Sequence, residues 1–416
     1  MNDVRAPAPN VMGEAICARL AELAALSDED GALTRLYLSP AHRKAAERVM
    51  QWMSAAGMSA RIDAVGNVVG RYEAQAAPAK TLILGSHIDT VRRAGAYDGN
   101  LGVVTAIQVV ASLHRRARRL PFAIEVVAFG DEEGVRFPSA LGGSRALAGA
   151  FDAAVLDERD AEGVSRREAL VAFGCDPDRI AGEARQAEDT IGFVELHIEQ
   201  GPVLEAEQRP VGVVTAISGA SRGEVRILGE SAHAGTTPMR LRYDALAAAA
   251  LVISAVESRA SAEPDLVATV GKLEIAHSAG NTVPGAVSFT LDIRAPDDDA
   301  RRAAARDIVT RIEEIAASRG LQAEVHLGYE ALSARCDPAL AEALAASVER
   351  MGLPARRLPS GAGHDAMAFR DRIPFAMLFV RCRGGVSHNP AEYAAPQDID
   401  AGARVLLDFV ERLSFR

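Results

Sequence analysis

Cysteine is scarce in this chain and never paired: Cys17, Cys175, Cys336 and Cys382 are the only four in 416 residues, and no CxxC occurs. That spacing excludes a disulfide framework and a cysteine zinc site, and four separate thiols predict a reducing cytoplasm. Basic charge is also short, with a formal net charge of −10. A protein held to nucleic acid through phosphates wants a basic face, so no nucleic-acid partner is expected. A small anion remains admissible, because the local charge of a site can oppose the net charge. No window approaches the roughly 18 apolar residues of a membrane span, and MNDVRAPAPN lacks a basic-then-apolar signal region, so no membrane partner is expected. With thiolates set aside, any metal must be held by histidine and carboxylate.

The length exceeds what one core usually supports, so two domains are expected. Ala41 to Gly57 carries Ala45, Val49, Trp52, Met53 and Ala56 at helical spacing, with Gly57 as a stop, and these apolar residues, the only tryptophan included, read as core. Thr81–Gly85, Phe122–Phe129 and Phe193–His197 read as apolar strands, separated by helices at Leu101–Leu113 and Arg145–Phe151. Apolar strands alternating with helices predict an α/β fold, a mostly parallel sheet with helices on both faces. Between Gly223 and Leu327 the order changes to strand Glu224–Leu228, helix Tyr243–Arg259, strand Asp265–Ile275, strand Ala286–Arg294, helix Asp299–Arg319 and strand Gln322–Leu327. That β-α-β-β-α-β order is the ferredoxin-like pattern. The α/β pattern then resumes with a helix at Pro338–Met351, a strand at Pro374–Val380 and a helix at Ile399–Leu413. The predicted organisation is one α/β domain over 1–215 and 329–416, with an inserted ferredoxin-like α+β domain over 216–328. Asp297-Asp298-Asp299 reads as a helix cap rather than a metal site.

Polar clusters fall at the carboxyl ends of the predicted strands, where open α/β sheets bind ligands. Gly85-Ser86-His87-Ile88-Asp89-Thr90 places His87 and Asp89 two apart, on one side of extended chain. An aspartate there could accept the second ring N–H of a metal-bound histidine. Tyr97-Asp98-Gly99-Asn100 follows, and taken alone it is a turn and helix start. Asp131-Glu132-Glu133 sets three carboxylates after a buried strand, with nothing positive beside them; they call for a cation. Glu195-Leu196-His197-Ile198-Glu199 alternates, with Glu195, His197 and Glu199 on one face. Gly385-Val386-Ser387-His388-Asn389-Pro390 adds a histidine in a turn. Together His87, Asp98, Glu133, His197 and His388 suit zinc or a similar divalent ion. One aspartate shared by two metals is the pattern of two-metal hydrolases, whose ions lie about 3.5–4 Å apart. The spare Glu132 can then serve as general base.

The strings GSHIDT, YDGNLG, DEEG, ELHIEQGPVLE, HAGTTPM and GVSHNPAE together resemble the aminoacylase and glutamate-carboxypeptidase-like zinc metallohydrolases. More narrowly, they are similar to the amidohydrolase branch with N-carbamoyl-L-amino-acid hydrolases, beta-ureidopropionase and allantoate and ureidoglycolate amidohydrolases. The resemblance runs over nearly the whole chain. It implies that His87, Asp98, Glu133, His197 and His388 bind two divalent ions, with Asp98 bridging; zinc comes first, and manganese or cobalt would fit the same donors. It also implies that Asp89 orients His87, that Glu132 is the base and that His233 stabilises the oxyanion, often across a dimer interface. Gln200, Asn281, Arg294, Gly361, Ala362 and His364 match substrate-binding positions. His277 and His326 have no such support and read as structural or solvent-facing.

The implied activity is hydrolysis of a linear non-peptide amide, an N-carbamoyl-L-amino acid or allantoate, by a cytoplasmic homodimer paired through the inserted domain. The implied substrate is a small amide or ureido compound bearing a carboxylate. YDGNLGVV looks more like the carbamoyl-amino-acid enzymes, GTTPM and SGAGHDA more like the allantoate and ureidoglycolate members. Two alternatives share the metal centre or the fold: an aminoacylase or dipeptidase, and a catalytically silent small-molecule binding protein. The intact Glu132 and full donor set weigh against the latter.

Overall fold

The computed structural model describes residues 11–276 and 278–414, so His277 lies outside the described residues. The chain divides into two compact units. The first runs up to Thr215 and takes in Cys336–Leu358 and the chain from His364 onward; the second is Ala216–Arg335 with Pro359–Gly363.

The first unit is built on a sheet, seven of whose nine strands are β1 (Ser59–Ile62), β2 (Val68–Tyr72), β3 (Thr81–His87), β4 (Ala123–Phe129), β5 (Thr190–Ile198), β6 (Val211–Ile217) and β7 (Phe375–Val380). Their spatial order is β1-β2-β4-β3-β5-β7-β6. The central four, β4, β3, β5 and β7, are parallel; β2 joins β4, and β6 joins β7, antiparallel. Every residue of β3, β4 and β7 is buried, as expected for strands covered on both faces. The β1–β2 hairpin escapes the sequence reading because its strands are short and one, Ser59–Ile62, is half exposed without an apolar run. Its partner β4 supplies the tie that its own sequence does not.

The helix Asn100–Arg115 is buried from Asn100 through Leu113, which its all-round apolar sequence requires. The helix Pro40–Ala55 is capped by Ser39, whose hydroxyl accepts the His42 N–H, and has proline in its first turn. Met53 and Val49 are fully buried, whereas Trp52 is only half-buried and carries the Arg19 guanidinium 5.4 Å above its ring. The core of this unit runs continuously from the first helix to Pro396–Arg412.

The second unit has strands Gly219–Leu228, Ala286–Ala295 and Gln322–Ala331 and helices Ala245–Ser261 and Asp298–Ser318. Ala286–Ala295 and Gln322–Ala331 flank Gly219–Leu228 antiparallel. The strand expected over Asp265–Ile275 is two short pieces, Val267–Thr269 and Leu273–Ile275, both paired to Ala286–Ala295 and broken around Gly271. Glycine at such a break matches its preference for bulges and bends. Asp297 caps its helix, accepting the Asp299 and Ala300 N–H groups. The two helices cover one face of this sheet, and Val225, Ile227, Phe289, Leu291 and Ile293 form the core beneath them.

Gly102 lets the Asn100–Arg115 helix lie flat on the sheet: a Cβ there would stand 2.2 Å from the Leu196 carbonyl oxygen. Gly102→Val is expected to cost at least about 1–3 kcal/mol of unfolding free energy, measured by urea titration, and to displace the loop that precedes the helix.

Candidate metal centre

His87 closes β3, and its ring is fixed by the chain that follows. Its Nδ1 lies 3.0 Å from the Asp89 carbonyl oxygen. A carbonyl only accepts, so the proton sits on Nδ1 and Nε2 faces the centre. The carboxylate of Asp89 is 3.7 Å from Nδ1 and is occupied elsewhere, accepting the N–H groups of Glu132 and Glu133 at 3.1 and 3.2 Å. Asp89 therefore orients His87 through its backbone oxygen, and its side chain holds the acidic loop after β4. His197 in β5 repeats the device, with Nδ1 2.9 Å from the Ile198 carbonyl oxygen. The Gly99 N–H donates to its Nε2 at 3.2 Å, which requires a lone pair on that atom.

Asp98 lies among these rings. Its Oδ1 is 3.4 Å from His87 Nε2 and 3.0 Å from His197 Nε2. Its Oδ2 is 3.3 Å from His388 Nε2, which is itself 3.5 Å from Glu133 Oε2. Asp98 takes part in two donor groups, His87–Asp98–His197 and Asp98–Glu133–His388, each with its donor atoms within 4.8 Å of one another. Asp98 belongs to both, one oxygen turned to each. Lone pairs converging on lone pairs are repulsive unless cations lie between them, so this mixed nitrogen and oxygen set fits two divalent ions. Glu132 Oε2 is 3.9 Å from His87 Nε2, beside the first group.

The titration behaviour reports the same surplus of negative charge. Burial pushes the Glu132 carboxyl well above its usual range, and Glu133, Asp365 and Asp89 push it further against the pull of His87. Burial and then Asp98 raise Glu133 to about 7. The hydrogen bond to Asp98 lifts His388 to about 9 against the effect of burial. Burial pushes Asp98 up, yet the imidazoles of His197, His388 and His87 hold it well below the carboxylate range. Acids and bases that both gather protons form a site that divalent ions would discharge.

The loops that carry these donors are tied from behind. Glu392 accepts the Tyr97 and Asp98 N–H groups at 2.8 and 3.0 Å, and the Ser387 hydroxyl bonds both Glu392 and Asp98. The fully buried Arg35 donates to the Ile88 carbonyl and to Asn100, whose amide donates to the Asp98 carbonyl. Asp131, immediately before Glu132, is left-handed at φ 70° and is paired with the buried Arg166, which also reaches Ser139 and Glu158. Gln200 and His388 are left-handed as well, at φ 56° and 54°. Such conformations cost on the order of 1–3 kcal/mol each and persist where the surroundings over-determine them.

The other expected site residues divide between the units. Gln200 donates its amide to Asp98 and Ser387 at 2.8 and 3.1 Å. His364 is buried, with its ring 4.5 Å from that of His197. Glu199 shares the face of His197 in sequence but turns away, accepting the Val203 and Leu204 N–H groups. His233, Asn281, Arg294, Gly361 and Ala362 all belong to the second unit. There the Gly235 N–H donates to His233 Nδ1 at 3.1 Å, so the His233 proton sits on Nε2, an outward donor. The Ala234 N–H bonds the Asn281 carbonyl, and Arg294 binds Asp292 with two nitrogens and the Gly361 carbonyl with the third. The Ala362 N–H donates to Ser360. Sequence reasoning missed Glu392, Arg35, Arg166 and Asp131 as supports; only the acidic run at Asp131 and the NPAE string hinted at two of them.

Comparisons with known proteins give a consistent picture. Residues 83–412 match the model for peptidase family M20/M25/M40. The chain is 39% identical over 405 residues to an N-carbamoyl-L-amino acid amidohydrolase of Geobacillus stearothermophilus, covering 97% of this chain and 99% of that protein. It is 38% identical over 432 residues to the allantoate deiminase of Arabidopsis thaliana, covering 96% and 82%. Its fold superposes on a hydantoinase/carbamoylase family amidase from Burkholderia multivorans with a TM-score of 0.91 at 35% identity, covering 96% and 97%.

Below about pH 7 Glu133 is protonated, and His388 holds its proton up to about pH 9; both protons must leave before these groups can ligate. Divalent-ion affinity is therefore expected to rise from pH 6 to pH 8, by about tenfold per unit for each proton displaced. Competition against a chelating dye at pH 6, 7 and 8 measures this, and a flat profile would contradict the donor assignment.

Proposed function

We propose, on the premise that this chain belongs to peptidase family M20/M25/M40, that it is a metal-dependent amidohydrolase cleaving the ureido C–N bond of a small carboxylate-bearing substrate. An N-carbamoyl-L-amino acid or allantoate is the substrate, and ammonia and carbon dioxide are released. The amidohydrolase and deiminase names of its full-length relatives support this reading. The observation that carries the mechanism is the Asp98 carboxylate shared by two donor groups, with Glu132 beside one of them.

His87, Asp98 and His197 would hold one divalent ion, and Asp98, Glu133 and His388 a second; zinc suits the donors, and manganese or cobalt would be accommodated. Such ions polarise a carbonyl and lower the pKa of water. Glu132 takes the proton of the attacking water, a task suited to a carboxylate whose surroundings make it a stronger base than usual. It returns that proton to the departing nitrogen, and the carbamic acid so formed breaks down to ammonia and carbon dioxide. Asp89 keeps Glu132 and Glu133 in register by their backbones. His233, with its proton on Nε2, donates to the tetrahedral oxyanion; a fixed donor of this kind is typically worth about 2.7–4 kcal/mol. Arg294 grips the substrate carboxylate with the guanidinium protons that Asp292 and Gly361 leave free. Gln200, Asn281, Gly361, Ala362 and His364 complete the substrate contacts.

The protein is proposed to act in the cytoplasm, consistent with its four free thiols. It is proposed to form a homodimer through the second unit, where Met239, Leu241, Leu251 and Val267 are each at least half exposed. Light scattering is expected to give twice the 43.9 kDa of one chain; a monomer that is fully active would remove any cross-subunit role for His233.

Glu132→Gln is expected to lower kcat by at least about a hundredfold, while metal content measured by elemental analysis stays unchanged. The assay is ammonia release in the presence of zinc, manganese or cobalt, comparing allantoate, ureidoglycolate, N-carbamoyl-β-alanine and N-carbamoyl-L-amino acids. Turnover of N-acetyl amino acids or dipeptides, with none of ureido substrates, would overturn the reading in favour of an aminoacylase or dipeptidase.

A further inference from the structure

The second unit contains a cavity of about 800 Å³ on the face of its sheet, lined by Arg294 and Gly361 and also by Arg222, Glu224, Asp292 and Tyr329. Arg222 and Asp292 are directly opposite each other across the Gly219–Leu228 and Ala286–Ala295 strands, and Tyr329 is opposite Arg222 on the far side. Arg222 donates its Nε to Asp292 Oδ2 at 3.0 Å, the same oxygen that accepts Arg294 Nη2 at 2.7 Å. Two guanidinium groups thus converge on one carboxylate. The Arg222 guanidinium also lies 5.1 Å from the Tyr329 ring centroid, so it is held at its Nε edge and supported by the ring. Its Nη1 and Nη2 find no acceptor among the described residues. Glu224, two residues along the same strand, is exposed and lines the same cavity. Alternation along a strand puts Arg222 and Glu224 on one side of the sheet, with their Cα atoms about 7 Å apart.

We infer that Arg222 and Glu224 form a donor–acceptor pair that reads a second ureido group on the substrate, so that the cavity selects an allantoate-type compound over simple N-carbamoyl amino acids. Within the lining, the Asp292 and Glu224 carboxylates face the Arg222 and Arg294 guanidinium groups. A neutral group with both a carbonyl oxygen and N–H donors satisfies Arg222 and Glu224 at once. A second carboxylate would meet Glu224 as a like charge, and an apolar side chain would leave both groups without partners. The inference rests on the reading that Arg294 binds the substrate carboxylate, and Asp292 is then the positioning residue for both arginines.

The test measures kcat and KM of the full-length, metal-loaded enzyme on allantoate, N-carbamoyl-L-aspartate and N-carbamoyl-L-alanine. The wild type should prefer allantoate. Arg222→Met and Glu224→Gln should each reduce kcat/KM for allantoate by about tenfold or more, chiefly through KM, the size of a lost charge-assisted contact. N-carbamoyl-L-alanine should change by less than about threefold, and Arg222→Lys should recover part of the loss. Both side chains are exposed enough that the variants should melt as the wild type does, which circular dichroism checks. Equal losses on all substrates, no loss on any, or a wild-type preference for N-carbamoyl-L-aspartate or N-carbamoyl-L-alanine overturns the inference. Arg294→Met is the separate control: if it leaves every KM unchanged, the carboxylate reading itself fails.

Discussion

The centre of the first unit is a buried carboxylate set against the ring nitrogens of three histidines. Asp98 is 3% exposed, and its oxygens lie 3.0 to 3.4 Å from His197, His388 and His87. Nδ1 of both His87 and His197 is committed to a backbone carbonyl. What remains at the centre is a crowded set of acids and bases that hold protons where divalent ions would otherwise lie. A fold that keeps such a set in place must do so by rigidity, because the donors themselves repel. The surrounding hydrogen bonds supply that rigidity, and they are mostly to backbone. Glu392 holds the amides of Tyr97 and Asp98, and Asp89 those of Glu132 and Glu133. Arg35 holds the carbonyl of Ile88.

The parallel strands explain why these loops meet. β3, β4, β5 and β7 end side by side, so His87, the acidic run, His197 and the His388 loop all leave the sheet at one edge. Fixed strand ends then allow strained loops. Three non-glycine residues at or beside the centre, Asp131, Gln200 and His388, sit in left-handed conformations. The Asp131 turn is clamped by Arg166, itself stacked 4.6 Å from the Phe137 ring. A buried arginine paired this way orders the turn that aims Glu132 and Glu133.

Most of the parallel core was legible because burial on both faces leaves an unbroken apolar run, as in Thr81–Leu84 and Phe375–Val380. The donors were legible because a chain with nine histidines sets three of them in polar clusters near strand ends. Other features were hidden for specific reasons. The β1–β2 hairpin has no apolar run, since one of its strands lies half exposed at the sheet edge. Glu199 alternates with His197, but alternation stops where the strand ends, and its carboxylate caps the next turn instead. Asp89 was expected to orient His87 by its side chain; the chain turns so that its carbonyl does this, a choice fixed by backbone dihedrals and not by residue type. Glu392, Arg35 and Arg166 act across 294, 65 and 35 residues of sequence, and no local pattern announces such pairings.

The same principle, an ion placed by its neighbours, operates in the second unit with opposite sign. In the first unit surplus carboxylates wait on cations; in the second, Asp292 gathers two guanidinium groups and leaves part of each unspent. Arginine suits this because its planar fork can be fixed along one edge while the other edge stays available, which a lysine ammonium cannot do. Fixing the edge beforehand lowers the entropy lost when a substrate is bound. An acid that pairs with two arginines contributes little to stability where it is partly exposed. At the floor of the cavity Asp292 fixes both guanidinium groups and leaves the Nη edge of Arg222 available to a ligand.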